Sequence, residues 1–271
     1  MGTPEFAVAS LDALVQAGCQ VVGVITAPDK PAGRGMKLQE SAVKKYAVEK
    51  GLKVLQPEKL KNHDFLVELR SLQADVQVVV AFRMLPEVVW NMPPLGTINV
   101  HGSLLPQYRG AAPINWAIIN GEKETGVTTF RLVHEIDCGH ILMQERIPIG
   151  ENETAGELHD RMKETGAALL VKTIKALADN DLKEIPQSEI ISAQDVKHAP
   201  KIFTETCRIQ WSQGINQVHN LVRGLSPFPG AFTIFNGKTL KIYRSEKELT
   251  QPGISPGEYK TDRKTFLKFA A

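Results

Sequence analysis

Leu95-Gly96-Thr97-Ile98-Asn99-Val100-His101-Gly102-Ser103-Leu104-Leu105-Pro106-Gln107-Tyr108-Arg109-Gly110 runs from a β-prone segment into a polar one broken by proline and glycine. Leu95 to Ile98 favours a strand, and Pro106 and Gly110 break any regular element behind it. Asn99 and His101 are two residues apart, so on a strand their side chains share one side. In α/β sheets the carboxyl ends of parallel strands are where ligands bind, which places such an amide and imidazole better for chemistry than for packing. A plainer reading makes Asn99 a turn cap and His101 a core histidine; the other polar residues of the stretch weigh against it.

Upstream, strand and helix alternate. Phe6, Leu11, Leu14 and Val15 recur at helical spacing up to a stop at Gly18, and Val21 to Ile25 is short, continuous and β-branched, as in a buried parallel strand. Lys53 to Leu55 and Val76 to Ala81 are further strands, with helical patterns over Lys44 to Lys50 and Asp64 to Leu72. Alternation at intervals of about 25 residues predicts a doubly wound, mostly parallel Rossmann-like sheet covered on both faces. A helix reached through Gly2-Thr3-Pro4 is normally fed by a strand, so an apolar strand is expected ahead of Met1; with Gly2 alone, the turn is a weak phosphate-loop signal. Between strands, Asp29 to Lys37 carries Lys30, Arg34 and Lys37 among Pro31, Gly33 and Gly35. Such a loop suits contact with a phosphate-rich partner, or is simply a solvated surface loop.

Downstream, Ala111 to Ile118 reads as a helix with Pro113 in its first turn. Val127 to Leu132 and His140 to Gln144 read as strands joined by the polar turn His134 to Gly139. Within it Asp137 is either an ordinary turn aspartate or the partner of His101, since a carboxylate beside an imidazole fixes its tautomer and favours its cation. A long amphipathic helix starts at Thr154, with Leu158, Met162, Leu169, Leu170, Ile174 and Leu177 as a core stripe. Residues 183–206 read as a linker between a first domain over 1–182 and a small β domain over 207–271. That domain opens with a helix near Trp211 to Gly224 and continues in short strands with Asn236-Gly237 as a hairpin turn. Its strands are too few to close a barrel, so the barrel-like domain is expected to continue past Ala271.

Composition bounds the class. The 271 residues are 42% hydrophobic and 23% charged with a net charge of +2, ordinary globular material that neither demands nor excludes a nucleic-acid partner. No apolar run approaches the roughly 20 residues that span a bilayer. With no signal segment evident, a cytoplasmic protein is expected. Cys19, Cys138 and Cys207 are odd in number and have no CxxC pair, which suggests neither a disulfide framework nor a zinc site.

Asn99 to Gly110 carries the pattern Asn-x-His-Gly-Ser-Leu-Leu-Pro-x-x-Arg-Gly without a break, and with it the chain resembles the methionyl-tRNA formyltransferase family. The resemblance extends to Gly2-Thr3-Pro4-Glu5-Phe6-Ala7-Val8, Ala32-Gly33-Arg34-Gly35, Gly110-Ala111-Ala112-Pro113-Ile114 and the Asp137-x-Gly139 turn, so it covers essentially the whole chain. Asn99, His101 and Asp137 are shared with the wider formyltransferases; the Ala-Gly-Arg-Gly loop and the small β domain point to the branch that uses tRNA. The resemblance implies formyl transfer from 10-formyl-tetrahydrofolate to the α-amine of methionyl initiator tRNA, without a metal; apart from it, a monomer with no membrane partner is expected. Asn99 and a protonated His101 would stabilise the oxyanion, and the amine's proton would leave through Asp137 or a water. Ser103 would orient its loop and not form an acyl-enzyme.

By the same resemblance, folate lies along Phe82, Arg83, Met84 and Leu85 and against Ser103, Leu104, Leu105 and Pro106. Phe82 and Arg83 stand where the family has tyrosine and glycine, and arginine does not take up positive φ as cheaply as glycine. Lys30, Arg34, Lys37 and Arg109 are the expected tRNA contacts, with Lys238, Lys241, Arg244 and Lys247 as further candidates in the β domain. Two other readings stay open. One is a sister enzyme acting on a small amine, an amino-sugar or glycinamide ribonucleotide; the other is a folate- or tRNA-binding homologue without catalysis.

Overall fold

The computed structural model describes residues 1–32, 37–190, 195–251 and 253–271. The apolar face set by Phe6, Ala7 and Leu14 is buried by α1 (Glu5–Gln16), and Gly18, at φ +78°, turns the chain away behind it. β1 (Val24–Ile25) follows, shorter than the apolar run that encodes it. The basic stretch, expected as a loop, starts and ends as an antiparallel hairpin of β2 (Lys30–Ala32) and β3 (Lys37–Gln39). Arg34, with the rest of 33–36, lies outside the described residues. Then come α2 (Ala42–Glu49), β4 (Val54–Leu55) and α3 (His63–Ser71), the two helices capped by the side chains of Ser41 and Asn62. β5 (Gln77–Val79), the single-turn α4 (Glu87–Trp90) and β6 (Thr97–His101) lead to the signature.

Beyond it lie β7 (Arg109–Gly110), α5 (Pro113–Ile119) with proline in its first turn, β8 (Glu124–Arg131), β9 (Ile141–Pro148) and the long α6 (Ala155–Ala178). The stretch read as a linker contains a 3-10 turn at Gln187–Glu189 and β10 (His198–Ala199), and another 3-10 turn lies at its end, at Glu205–Cys207. The chain ends with α7 (Ile215–Gly224), β11 (Ala231–Phe235), β12 (Lys238–Ile242), β13 (Tyr259–Thr261) and β14 (Leu267–Phe269).

Two compact units form, one of Met1–Gln107, Gly126–Arg146 and Asp160–Val196, the other of Tyr108–Thr125, Ile147–His159 and Lys197–Ala271. In the first, β5 and β6 run parallel, β8 lies antiparallel beside β6 and β9 beside β8, while β1 pairs parallel with β4. Met1 and Gly2 join these two pieces. The Gly2 amide donates to Ile25 at 3.1 Å, and the Val80 amide donates to Met1 at 2.9 Å, so two residues hold a central place in the doubly wound sheet. The core collects Ile25, Leu55, Leu60, Phe65, Leu69, Val79, Leu85 and Val89. Each such side chain, fully buried, contributes about 1.5–3 kcal/mol.

In the second unit Cys207, Ile209, Val218, Leu221, Val222, Leu225 and Ala231 form the core. Asn236 and Gly237, both at positive φ (49° and 73°), make the turn that lets β11 and β12 pair with Phe235 opposite Lys238. β13 and β14 form a second hairpin, joined to the first where Phe235 meets Tyr259 at 4.8 Å, and Trp211, from ahead of α7, stacks on Phe269 at 4.4 Å. Thr154 and Glu157 cap the start of α6, the Glu157 carboxylate accepting from the Thr154 amide at 2.9 Å and hydroxyl at 2.8 Å and pairing with Arg244 at 2.5 Å.

The Thr154 backbone N–H above all, then Arg244, holds the Glu157 carboxyl at about 2, below the usual carboxylate range. Because the folded value is the depressed one, the stabilisation is complete above the unfolded carboxyl's range and is lost as pH falls through about 2. Glu157→Gln is therefore expected to narrow the stability gap between pH 7 and pH 2.5, seen in melting temperatures taken across that range. A gap as wide as in the parent would remove Glu157 from the acid response. Among the described residues no helix is long and apolar enough to cross a membrane.

Candidate active site

The register of the first sheet assembles the site. Asn99 lies opposite Val79 of β5 on one side and Phe130 of β8 on the other, and His101 lies opposite Thr128. Pairing of Val79 with Asn99 brings the chain leaving β5 level with His101, at the carboxyl ends of both strands. His101 is buried and its ring meets the edge of Phe130 at a centroid distance of 6.4 Å and an interplanar angle of 87°. Asp137, also buried, places its carboxylate 3.9 Å from Nδ1 of His101. That is too long for a hydrogen bond and an ion-pair distance once the imidazole carries a proton.

Asp137 reaches this position from a turn of unusual shape. Its own φ is +54°, in the left-handed region that L-residues other than Asn and Asp seldom occupy. Gly139 sits so close to β8 that a Cβ there would come within 1.6 Å of the Arg131 carbonyl oxygen. From the linker stretch, Gln187 donates through Nε2 to the carbonyls of Asp137 and Gly139, both at 2.8 Å. Cys138 is partly buried and its thiol donates to the Ile136 carbonyl at 3.2 Å.

The loop after His101 is held by a second set of bonds. Ser103, fully buried, donates through Oγ to the Gln107 carbonyl at 2.6 Å, the loop-orienting part expected of it. Thr128 donates to the Ser103 carbonyl at 2.7 Å and accepts from the Leu105 amide at 3.1 Å and from Gln144 Nε2 at 2.9 Å. Gln144 gives its other hydrogen to the Leu105 carbonyl at 2.8 Å. Thr128, Gln144 and Gln187 were not singled out in the sequence, because a Thr or Gln bonded to backbone carries no motif.

The expected folate segments divide by exposure. Met84 is 75% exposed and Arg83 exposed, while Phe82 is partly buried against the core. Leu85 belongs to the main core cluster, and Leu105 packs with Phe130 and Ile141. Ser103, like them, is buried. Leu104 is partly exposed, and Pro106 is buried behind a cis bond from Leu105. The left-handed residue after β5 is Ala81, at φ +47°, and not Arg83. The Arg83 side chain turns back instead, donating to the Glu58 carbonyl at 2.8 Å and to the Pro57 carbonyl, with its guanidinium 5.5 Å from the Phe82 ring.

Of the expected tRNA contacts, Lys30 opens β2 and is exposed, and Lys37 opens β3. Arg109 is in the other unit, on β7, which pairs parallel with β10. Tyr108 anchors that strand: its hydroxyl donates to Glu122 at 2.5 Å and accepts from Asn120 at 3.2 Å, and burial, then the Glu122 bond, holds its phenol well above the ordinary tyrosine value. In the β hairpins Lys238 is exposed, Lys241 donates to the Pro229 carbonyl at 2.7 Å, and Arg244 and Lys247 pair with Glu157 and Glu151.

A doubly wound sheet bearing an amide, an imidazole and a carboxylate at its strand ends defines the class, an α/β protein with a polar site where such sheets hold ligands. The chain belongs to the formyl transferase family: the family model "Formyl transferase" matches residues 1–174, and "Formyl transferase, C-terminal domain" matches residues 201–271. It is 54% identical over 275 residues to the methionyl-tRNA formyltransferase of Bacteroides fragilis, covering 100% of this chain and 85% of that one. With its counterpart in Parabacteroides distasonis it shares 56% over 277 residues, 100% of this chain and 86% of the relative. Among solved structures it has the fold of an N-formyltransferase from Helicobacter canadensis in complex with folinic acid and dTDP-3-aminofucose, with a TM-score of 0.75, 21% identity, and coverage of 99% and 93% of the two chains.

Proposed function

We propose that this chain transfers a formyl group from 10-formyl-tetrahydrofolate to the α-amine of methionyl initiator tRNA, acting as a cytoplasmic monomer. The reaction rests on one observation above all, the Asp137 carboxylate 3.9 Å from His101 with Asn99 two residues away on the same side of β6. The acceptor rests on identity above one half, along the whole chain, to relatives named for methionyl-tRNA. In the proposal the catalytic part spans 1–182, the connection 183–206 and the tRNA-binding part 207–271.

The residues present fit a folate. Half-buried Phe82, exposed Met84 and part-exposed Leu104 offer apolar surface to a flat heterocycle. When bound, the folate supplies an activated formyl group. Asn99 donates an amide N–H to the formyl oxygen as negative charge gathers there, and His101 donates beside it. Asp137 orients the His101 ring, takes the proton that the attacking amine loses, and returns it to the folate nitrogen as the bond between that nitrogen and the formyl carbon breaks. Arg83, committed to the carbonyls of Pro57 and Glu58, props the folate segment from outside. Lys30, Arg34, Lys37 and Arg109 take phosphates of the acceptor tRNA.

Formyl transfer assayed with the purified chain on charged initiator tRNA, on a nucleotide-linked amino-sugar and on glycinamide ribonucleotide tests the reading. Transfer to the tRNA, weakening steeply with salt as phosphate contacts require, is the expected result. Transfer only to a small amine assigns the chain to a sister activity, and donor binding without any transfer removes the enzyme.

A further inference from the structure

We infer that Gln187 is a positioning residue for Asp137. The inference rests on the catalytic reading of Asp137 and adds to it a residue from a stretch the sequence presents as a mere connection. Gln187 is 3% exposed, in the 3-10 turn that follows Pro186, far along the chain from the site. Its Nε2 donates to the turn that carries Asp137, once to the carbonyl of Asp137 itself and once to that of Gly139.

These two carbonyls flank Cys138, so the amide grips the turn on either side of its tip. The grip has something to hold. Asp137 sits at φ +54°, and a left-handed non-glycine residue costs about 1–3 kcal/mol and persists only where its surroundings fix it. A primary amide suits the place because one nitrogen carries two hydrogens for two acceptors. A carboxylate of the same shape would turn lone pairs toward both carbonyls, and an aliphatic side chain would leave both without this donor.

Fixing both carbonyls fixes the direction in which the Asp137 side chain leaves the backbone, and with it the 3.9 Å separation from His101. A shift of about 1 Å in a group positioned for chemistry is enough to cost turnover heavily. Its two Nε2 bonds to the turn end on the carbonyls of Asp137 and Gly139, so its influence on turnover passes through Asp137.

The test is a double-mutant cycle of Q187L and D137N in the full chain, with Q187E as the variant that keeps the side chain's shape. Turnover, KM for the formyl donor and melting temperature are measured on each. Q187L and Q187E are expected to lower kcat on the order of tenfold to a hundredfold, with KM for the donor changed by less than about twofold. D137N alone is expected to lower kcat by about a hundredfold or more, and Q187L is expected to cost nothing further in that background, as for residues acting as one unit. Q187L at parental turnover, a loss that reappears in full on top of D137N, or a loss carried by KM and stability while kcat holds would each overturn the inference. D137N at parental turnover would instead overturn the catalytic reading beneath it.

Discussion

Asn99→Ala is expected to lower kcat by about a hundredfold to a thousandfold, roughly 2.7–4 kcal/mol of transition-state stabilisation, while leaving the fold and the affinity for the formyl donor in place. The magnitude follows from what the amide does. It is one of two N–H donors on the same side of β6, and a donor aimed at charge that exists only in the transition state affects the barrier and not the ground-state complex. The fold is expected to survive because Asn99 is only partly buried and belongs to none of the apolar clusters, while the β6 register depends on backbone bonds that alanine retains. Asn99→Asp should be worse than alanine, since it sets a carboxylate where the oxyanion forms. Single-turnover formylation with saturating donor reads the effect directly. A variant within threefold of the parent, with its donor affinity unchanged, would take the amide out of the chemistry.

How far the site could be read in advance depends on which interactions carry it. Asn99 and His101 were legible because period-two alternation on a strand is a local rule, and β6 obeys it. Asp137 was legible as either a turn aspartate or a partner for His101, and the family's Asp-x-Gly motif favoured the second. Its backbone conformation was not legible, for the turn is bonded to Gln187 from the linker stretch and its Gly139 lies against the Arg131 carbonyl, both tertiary facts. The basic stretch read as a loop because glycine and proline outweigh strand propensity in it, yet pairing of Lys30 with Gln39 and of Ala32 with Lys37 makes its ends a hairpin. Arg83 illustrates the opposite error. Its place in the motif directed attention to a positive φ, whereas the left-handed residue lies two positions earlier at Ala81, and the arginine serves by its side chain. In the first hundred residues the runs read as strands at Val21 to Ile25, Lys53 to Leu55 and Val76 to Ala81 are trimmed to the few residues with a bonded neighbour, as β1, β4 and β5.

Gly139→Ala is expected to destabilise the chain by roughly 3 kcal/mol or more, at the upper end for forcing extra volume into a packed region, and to cut turnover with it. The obstacle is backbone. An added Cβ would lie 1.6 Å from the Arg131 carbonyl oxygen and 2.9 Å from its carbon, and no side-chain rotation relieves either contact. Nor can Arg131 step aside cheaply, because its amide is bonded to the His140 carbonyl at 3.0 Å and the next amide, of Leu132, to the Thr97 carbonyl at 2.8 Å. The turn must therefore lift away from β8. In doing so it draws the carbonyls of Asp137 and Gly139 off the Gln187 amide, so the lost stability and the lost orientation of Asp137 have one cause. Gly51 is the control: it sits at φ +66° with nothing within 4 Å of its would-be Cβ, so alanine there costs only the left-handed penalty of about 1–2 kcal/mol and leaves turnover alone. Urea unfolding midpoints and kcat for the two variants separate a steric cause from a conformational one. If Gly139→Ala unfolds at the parent's midpoint and turns over at the parent's rate, the turn is not pressed against β8, and the site's carboxylate must be held in some other way.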